Sequence, residues 1–348
     1  MPITIHENVQ LAPLTTLQVG GLARYFAEAK TEAEIREATE FTRQRNLPLF
    51  VLGGGSNLVV ADSGWPGLVL KIVIGGVSRK PSAAVVLFDI GAGVNWDDFV
   101  AQAVSENGAG VECLSGIPGS VGGTPVQNVG AYGQDVSETI ESVRAFDRNT
   151  DQVVELTNQA CGFRYRTSIF NTVARDRYII TRVRYHLSPG GLPSFKYADL
   201  QKRFAGGQPS LAEVRDAVLE TRRSKGMLIV PGDDDCRSAG SFFKNPVLSE
   251  TQFAGLTRRA AAQGLVIPSY PALDAQRKVS AAWLVEHSGF SKGFSLGAAG
   301  VSRKHALALI NRGHATAADI IHLKERVQQG VEAAWGICLE PEPVFVGF

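Results

Sequence analysis

Two glycine-rich segments contain the residue types that could hold an anionic or flat ligand. The first glycine loop is Gly53-Gly-Gly-Ser-Asn57, and the second glycine loop runs from Gly116 to Gly133 with two prolines and no charged residue. Valines and an isoleucine alternate with the glycines of the second loop, which predicts an ordered, buried loop rather than a linker. Dense glycine lets the backbone approach a ligand closely and lets several N–H groups point the same way. The pair therefore predicts a cofactor site.

The sequence around the first glycine loop excludes two common phosphate-binding motifs. A strand-like segment, Leu49-Phe-Val-Leu52, precedes it, and the apolar Leu58-Val-Val60 follows where an amphipathic helix would be needed. A Rossmann loop requires glycine where Leu58 stands, and a P-loop requires Gly-Lys-Ser/Thr. Two interpretations stay open on these residues. The loop is a backbone nest for a pyrophosphate, with Ser56 and Asn57 as side-chain partners, or it is a plain tight turn.

Basic side chains near these loops could bind acidic groups. Arg164 and Arg166 lie among aromatic residues, and an arginine beside a cofactor loop can bind a carboxylate in bidentate fashion. An exposed basic strand is the alternative. Arg222 and Lys225 end a predicted helix, where cations complement the helix dipole and could bind a diphosphate. The acidic Asp233-Asp-Asp235 lacks an ordered ligand spacing and is predicted to be a solvated surface loop.

The elements that must position these residues alternate between helices and strands. Helices are predicted after capping residues that precede apolar positions of helical spacing, and strands are predicted where apolar runs or alternations are short. The predicted helix caps are Thr31, Asn95, Ser210, Ser249 and Thr316, with a further helix at 281–285, and the predicted strands are 49–52, 58–60, 69–74, 85–90, 142–146, 153–156, 178–187 and 306–310. This mixture predicts an α+β fold.

Length and composition limit the function classes. The 348 residues favour two or three domains, and a net charge of +1 without a run of like charges makes nucleic acid an unlikely partner. Apolar runs are far shorter than the ~20 residues of a membrane helix, and no signal peptide is visible. The four scattered cysteines form no CxxC pair and are predicted to be buried thiols in a reducing cytoplasm.

Six motifs in this order resemble the family of UDP-N-acetylenolpyruvylglucosamine reductases, which are bacterial flavoenzymes of peptidoglycan synthesis. The resemblance spans nearly the whole chain, and six motifs in register are specific where one alone would be weak. The motifs are Gly53-Gly-Gly-Ser-Asn57, Gly116-Ile-Pro-Gly-Ser-Val-Gly-Gly123, Pro125-Val-Gln-Asn-Val-Gly-Ala-Tyr-Gly133, Tyr165-Arg166, Gly240-Ser-Phe-Phe-Lys-Asn-Pro246 and Leu339-Glu-Pro-Glu342.

The resemblance implies an α+β architecture with a two-part FAD-binding domain of the vanillyl-alcohol-oxidase/PCMH type and a C-terminal α+β substrate-binding domain. The implied boundaries are 1–73 and 74–226 for the FAD-binding subdomains and 227–336 for the substrate domain, with 337–348 returning to the first subdomain. The implied reaction reduces UDP-N-acetylglucosamine enolpyruvate to UDP-N-acetylmuramate in the cytoplasm, with NADPH as reductant, non-covalent FAD as cofactor and no metal. Neither a nucleic acid nor a membrane is an implied partner.

The resemblance also implies roles for single residues. Hydride addition to the enol ether leaves an enolate-like charge, which Arg166 would stabilise and a proton from Ser241 would quench. Glu342, rather than Glu340, matches the family's terminal catalytic glutamate, and Glu340 is expected to be structural. The implied FAD-binding residues are Gly53, Gly54, Gly55, Ser56, Asn57, Gly116, Gly119, Ser120, Gly122, Gly123, Thr124, Gln127, Asn128, Gly130 and Ala131. The implied substrate-binding residues are Tyr197, Arg222, Lys225, Asn245 and His305.

Some matches to the family are less direct. The family commonly varies at the position of His305. Tyr197 matches the class of members that close a tyrosine over the substrate. The segment between Lys225 and Ser241 is longer than in the simplest members, which leaves the path of the Asp233 loop open.

Two other functions compete with this one. A flavin oxidase of the same fold, acting on an alcohol or hydroxy acid, would often attach its flavin through histidine, but no histidine occurs between His6 and His186. A cofactor-free binding protein would use the glycine loops as turns, and it would leave Arg166, Ser241 and Glu342 as a coincidence.

Overall fold

The structure is a computed structural model that describes residues 3–81, 84–272 and 275–348. Its strands are β1 His6–Gln10, β2 Leu22–Ala29, β3 Leu49–Leu52, β4 Leu58–Val60, β5 Trp65–Ile72, β6 Val77–Pro81, β7 Val86–Gly91, β8 Gly108–Ala109, β9 Gly130–Ala131, β10 Gln134–Asp135, β11 Ile140–Asp147, β12 Gln152–Thr157, β13 Tyr178–Pro189, β14 Val247–Leu248, β15 Ser269–Pro271, β16 Arg277–Val279, β17 Ser295–Leu296, β18 Ala299–Val301, β19 Leu309–Asn311 and β20 Val344–Val346. Its α-helices are α1 Glu32–Gln44, α2 Trp96–Ser105, α3 Ala198–Arg203, α4 Leu211–Ser224, α5 Glu250–Ala261, α6 Ala281–Glu286 and α7 Ala317–Trp335.

The chain divides into two compact units. The first unit contains Ala23–Gly55 and Trp65–Arg223, together with the N-terminal residues up to Val9. The second unit contains Gln10–Leu22, Ser56–Gly64 and Ser224–Phe348. The chain thus leaves the first unit within the first glycine loop, between Gly55 and Ser56, and returns to it at Trp65.

A four-stranded sheet with the order β1-β2-β5-β3 begins the first unit. Strands β2 and β3 each pair with β5 in parallel, and α1 connects them across the sheet. Helix α1 begins as predicted, because the Thr31 side chain accepts a hydrogen bond from the Glu34 amide at 3.2 Å. Its buried face includes Ile35 and Ala38, and the chain turns at Asn46, which has a φ of 50°.

The second sheet of the first unit has the strand order β12-β11-β13-β7-β6, and its pairs are antiparallel. Helix α2 packs three aromatic rings together, since Phe99 lies edge-on to Trp96 at 5.6 Å and packs at a tilt against Tyr185 of β13 at 5.2 Å. Asn95 caps this helix as predicted, because its Oδ1 accepts hydrogen bonds from the amides of Asp97 and Asp98. The rigid α2–β13 contact supports the loop that follows α2.

The second unit is built around α7, whose apolar face of Ile320, Leu323, Val327 and Val331 is fully buried. Short antiparallel sheets, β17-β18-β19 and β14-β16-β15, lie in the same unit. The last strand, β20, pairs in parallel with β4, with Val344 opposite Leu58. The predicted strand 58–60 is therefore confirmed, and its partner comes from the C-terminus of the chain.

Three predictions about local structure are wrong. The predicted strand 306–310 begins only at Leu309, because the Leu307 amide donates to Nδ1 of His305 at 2.9 Å and the preceding residues form a turn. The acidic segment is not a solvated loop, since Asp235 is fully buried. Cys338 is exposed, whereas the other three cysteines are buried as predicted.

One property of the helices bears on the membrane prediction. Across the described ranges, no helix combines the length and the apolar character that a membrane span requires.

Candidate active site

The two glycine loops touch each other at Gly53 and Gly54. A Cβ atom added to Gly54 would lie 2.5 Å from the Cα of Gly119 and 2.9 Å from the amide nitrogen of Ser120. A Cβ on Gly53 would lie 2.9 Å from Oγ of Ser120. Real Cβ atoms do not approach backbone atoms as closely as at Gly54, so glycine is needed at that position for the loops to meet.

The start of the second glycine loop is fixed by Asp97 on α2. The Asp97 carboxylate accepts a hydrogen bond from the Gly116 amide at 2.6 Å and two from the Arg215 guanidinium of α4, at 2.6 and 2.9 Å. Burial alone would raise the pKa of Asp97, but the Arg215 guanidinium and the Gly116 N–H outweigh it and lower that pKa. Asp97 therefore holds the loop as a carboxylate.

The middle of the second glycine loop is hydrogen-bonded to the segment between β7 and α2. The amides of Val121 and Gly122 donate to the carbonyl oxygens of Val94 and Ala92, each at 2.9 Å. Thr124 is buried, and its hydroxyl lies 2.6 Å from that of Tyr185. The loop is thus ordered and buried as predicted, and the Thr124 side chain serves the packing of the loop.

Ser120 is the residue of this loop whose side chain most directly indicates a ligand. Its Oγ is buried, yet it has no hydrogen-bond partner within the part of the chain that the structure describes. A buried hydroxyl without a partner is unfavourable in a protein, so a bound group with polar atoms is expected to satisfy it. The glycine contacts and this hydroxyl fit a pyrophosphate-containing cofactor such as FAD.

Arg166 reaches the end of the same loop. Arg164 and Thr167 close a tight turn through mutual backbone hydrogen bonds, and Arg166 adopts a φ of 56° within it. The Arg166 Nη2 donates to the carbonyl oxygen of Gly130 at 2.8 Å. The Asn128 side chain, buried and named above for FAD, donates to the carbonyl oxygen of Arg164 at 3.1 Å. The structure therefore joins Arg166 to the second glycine loop, and it uses Asn128 to hold the turn.

Two predicted substrate-binding residues lie near the same loop in the first unit. The Arg222 Nε donates to the carbonyl oxygen of Gly116 at 3.1 Å. The ring of Tyr197, just before α3, packs edge-on against that of Tyr132 at 5.3 Å. Burial raises the pKa of Tyr132, although the nearby Arg222 cation opposes the rise. Tyr132 thus connects Arg222 with Tyr197, a connection that sequence reasoning missed.

In the second unit, the Ser241 segment pairs with the C-terminal segment. Phe243 and Pro341 form an antiparallel bridge, the Glu342 amide donates to the Phe242 carbonyl oxygen at 2.9 Å, and the Lys244 amide donates to the Glu340 carbonyl oxygen at 2.9 Å. Residues 241–244 and 340–342 therefore lie side by side as antiparallel backbone segments, although neither is long enough to form a regular strand. Two motifs that are about a hundred residues apart in the sequence meet here, as a shared site requires.

The two C-terminal glutamates have different surroundings. The Glu340 side chain is 70% exposed and forms an ion pair with Lys244 at 2.5 Å. Glu342 is half-buried, and its backbone carbonyl accepts a hydrogen bond from the Asn57 side chain at 3.2 Å. Asn57 also accepts a hydrogen bond from the Val344 amide at its carbonyl oxygen, at 2.9 Å. The contrast agrees with a structural role for Glu340.

The remaining predicted residues have defined places. The Asn245 Oδ1 accepts a hydrogen bond from the Ala281 amide at 2.9 Å, at the start of α6. The Nδ1 of His305 accepts a hydrogen bond from the Leu307 amide, so a neutral ring carries its proton on Nε2. Lys225 follows the last residue of α4 directly, and Gln127 and Ala131 are half-buried in the second glycine loop.

Sequence reasoning also missed the pair formed by Asp97 and Arg215. Arg215 lies beside Val214 on α4, next to the buried residues Leu211 and Val218. A charged residue at the edge of an apolar helix face was the available signal, since such a residue needs a partner when it is partly buried.

The family of the chain follows from comparison with known proteins. A family model for an FAD binding domain matches residues 23–157, and a model described as UDP-N-acetylenolpyruvoylglucosamine reductase, C-terminal domain, matches residues 231–346. A UDP-N-acetylenolpyruvoylglucosamine reductase from Thermobifida fusca is 48% identical over 100% of this chain and 99% of its own length. The chain belongs to this reductase family. A second family member, from Streptomyces avermitilis, is 45% identical over 98% of this chain and 94% of its own length.

A solved structure agrees with this assignment. The crystal structure of UDP-N-acetylenolpyruvylglucosamine reductase from Thermus caldophilus is 26% identical, covers 99% of both chains and has a TM-score of 0.67. The predictions of an α+β fold with an FAD-binding domain, and of an FAD-dependent oxidoreductase of peptidoglycan synthesis, are thereby confirmed. The chain is a flavoprotein of the reductase family.

Proposed function

We propose that the chain reduces UDP-N-acetylglucosamine enolpyruvate to UDP-N-acetylmuramate with electrons from NADPH, in the cytoplasm. Membership of the reductase family over the full length of the chain supports the substrate and the reductant. The single observation that carries the proposal is the pairing of residues 241–244 with 340–342. It supports a shared role for Ser241 and Glu342, because these two residues then lie on adjacent backbone segments.

The two glycine loops hold FAD in this proposal. Gly53, Gly54 and Gly119 allow the loops to approach, and Ser120 offers a buried hydroxyl to a polar group of the cofactor. When bound, FAD supplies the two-electron transfer that links NADPH oxidation to reduction of the enolpyruvyl double bond. Asp97 keeps the second glycine loop in place for this cofactor.

Three residues act on the charge that develops in the substrate. Hydride addition at one alkene carbon leaves negative charge on the neighbouring carbon and the carboxylate. Arg166 stabilises this charge, since a guanidinium offers several N–H donors in a fixed plane. Ser241 delivers a proton to the carbon, and Glu342 orients the same intermediate. A serine hydroxyl is a weak acid in water, but a carbanion is basic enough to take its proton.

Charged and polar side chains bind the substrate in this proposal. Arg222 and Lys225 bind the diphosphate, because cations at the end of a helix are suited to an anion of this size. Tyr197 closes over the substrate. Asn245 and His305 offer amide and imidazole N–H groups, since the Asn245 Oδ1 and the His305 Nδ1 already accept hydrogen bonds from Ala281 and Leu307.

The experiment that tests this proposal separates the two halves of the reaction. The purified protein, loaded with FAD, is mixed with one equivalent of NADPH without oxygen, and the visible flavin absorbance should bleach. Adding UDP-N-acetylglucosamine enolpyruvate should restore the absorbance and yield UDP-N-acetylmuramate. Bleaching without recovery on this substrate would reject the assignment and would favour a flavin enzyme acting on another compound. Failure of the protein to bind FAD would reject both the reductase assignment and any other flavin-dependent function.

A further inference from the structure

The acidic segment Asp233–Asp235, which the proposed reaction does not use, is paired residue by residue with cations of the second unit. Asp233 forms an ion pair with Lys304, Asp234 with Arg237 at 3.1 Å, and Asp235 with Arg303 at 3.0 Å. The first and third pairs join the segment to a turn almost seventy residues further along the chain. A merely solvated loop would not need such partners.

Asp235 is the member of the segment that has no access to solvent. Its side chain is 0% exposed, and its two oxygens accept hydrogen bonds from the backbone amide and the Nε of Arg303, at 2.9 and 3.0 Å. A fully buried carboxylate is costly unless it is paired and hydrogen-bonded, so its position is well determined by these two donors. Asp235 thus fixes the backbone of the turn at Arg303, not only a side chain.

The turn that Asp235 fixes spans residues 302–308 and contains His305. The hydroxyl of the fully buried Ser302 accepts hydrogen bonds from the amides of Lys304 and His305, at 3.0 and 3.3 Å. The amide of Ser302 donates to the carbonyl oxygen of Ala308 at 2.8 Å and closes the turn. The turn is therefore closed by hydrogen bonds among its own residues.

The same turn contacts the residue that follows Ser241. The Phe242 amide donates to the Leu307 carbonyl oxygen at 2.7 Å. Before that point, the Asn311 amide donates to the Arg237 carbonyl oxygen at 2.9 Å, and Ser238 forms a bridge with Ile310. Hence the stretch 235–242 is joined to residues 303–311 at Asp235, Arg237, Ser238 and Phe242.

We propose that Asp235 is a positioning residue for the proton-delivery step: by holding the turn 302–308, it sets the backbone position of Ser241 through Phe242 and of His305 directly. This inference rests on the proposed function, because it assigns Ser241 to proton delivery. Asp234 does not share the role, since its side chain is 47% exposed and pairs with Arg237 only three residues away.

Asp235→Asn and Asp234→Asn form a matched pair of variants for the test. Stopped-flow mixing of the FAD-loaded enzyme without oxygen gives one rate constant for flavin reduction by NADPH and another for flavin reoxidation by UDP-N-acetylglucosamine enolpyruvate. Asp235→Asn should slow reoxidation by about 10- to 100-fold, less than the roughly 10²- to 10⁴-fold contribution of a proton donor because Ser241 is displaced and not removed, and it should leave reduction within about 3-fold. Asp234→Asn should leave both rate constants near those of the unchanged enzyme.

Two further measurements separate positioning from a loss of stability. The solvent isotope effect on reoxidation should rise in Asp235→Asn and stay unchanged in Asp234→Asn, because proton delivery becomes more limiting. Arg303→Lys keeps a cation beside the buried Asp235, so this conservative variant should fold and keep reoxidation within about 3-fold of the unchanged enzyme. Equal loss of both half-reactions in Asp235→Asn, or reoxidation at the unchanged rate in that variant, would overturn the inference.

The result also distinguishes this inference from the proposed function. If the unchanged enzyme reoxidises with the enolpyruvyl substrate and Asp235→Asn does so equally fast, the inference fails and the function stands. If the unchanged enzyme does not reoxidise with that substrate, the proposed function itself fails, and the inference fails with it.

Discussion

The amide of Glu342 donates a hydrogen bond to the carbonyl oxygen of Phe242 at 2.9 Å. This contact joins the residue after Ser241 to the glutamate at the end of the chain. Glu340, two residues earlier, pairs with Lys244 at the surface. The same substitution at Glu342 and at Glu340 therefore compares a glutamate of the proposed site with one at the surface.

Glu342→Gln should lower turnover by about 100-fold or more, because the charge of the carboxylate is lost at the proposed site while its size is kept. Glu340→Gln should leave turnover within about 3-fold and cost less than about 1 kcal/mol of stability, since exposed ion pairs contribute little. Steady-state turnover and urea unfolding measure both effects. Similar turnover of the two variants would contradict the assignment of Glu342.

Ser241→Ala should separate the two half-reactions. Flavin reduction by NADPH does not need a proton on substrate carbon, so its rate constant should stay within about 3-fold. Product formation should fall by about 10²- to 10⁴-fold, the range that general acid catalysis contributes. Anaerobic stopped-flow mixing with each substrate in turn measures the two rates. A variant that loses flavin reduction to the same extent would remove Ser241 from the role of proton donor.

Local sequence signals were sufficient for much of the first unit. The strand, glycine turn and second strand of residues 49–60 were predictable, because glycine between short apolar runs restricts the backbone strongly. The caps at Thr31 and Asn95 were predictable for the same local reason. Such signals depend on neighbours within a few residues, and the structure confirms them.

Partners that are distant in the sequence could not be predicted in this way. The burial of Asp235 depends on Arg303, and three consecutive acidic residues are by composition alone a surface segment. The strand predicted from residue 306 was also wrong, because the imidazole of His305 accepts the hydrogen bond of the Leu307 amide and the chain forms a turn there. The site residues came from motif resemblance, whereas the contacts that hold them, such as Asp97 with Arg215, required the fold.

Gly54→Ala should reduce FAD binding, because the new Cβ would lie 2.5 Å from the Cα of Gly119 and neither backbone can yield. Overpacking of this kind costs about 1–3 kcal/mol, which corresponds to a rise of roughly 5- to 140-fold in the dissociation constant of FAD. Flavin absorbance per protein after dialysis against known FAD concentrations measures the effect.

Gly255→Ala is the control for this substitution. Gly255 lies inside α5 with nothing within 4 Å of the added Cβ, so the change should leave FAD binding intact and stabilise the helix by about 0.5–1 kcal/mol. Normal FAD binding by Gly54→Ala would show that the two glycine loops can separate without affecting the cofactor.

Asp97→Asn should destabilise the protein and do so in a pH-dependent way. The Asp97 carboxylate accepts hydrogen bonds from the Gly116 amide and the Arg215 guanidinium, and its side chain is 31% exposed. Loss of a fully buried pair costs about 3–5 kcal/mol, so about 1–3 kcal/mol is expected for this partly exposed one. Because the pKa of Asp97 is lowered in the folded state, its contribution is complete well above the ordinary value of 3.8 and disappears as the pH falls through the lowered pKa.

The stability difference between the unchanged protein and Asp97→Asn should thus be largest at neutral pH and shrink in acid below pH 3.8. Urea unfolding at a series of pH values measures it, and FAD release reports on the Gly116 loop in the same samples. Asp98→Asn provides the control, because Asp98 is the exposed neighbour in the same helical turn and its stability profile should follow that of the unchanged protein. A constant difference at all pH values would show that Asp97 acts through its shape rather than through its charge.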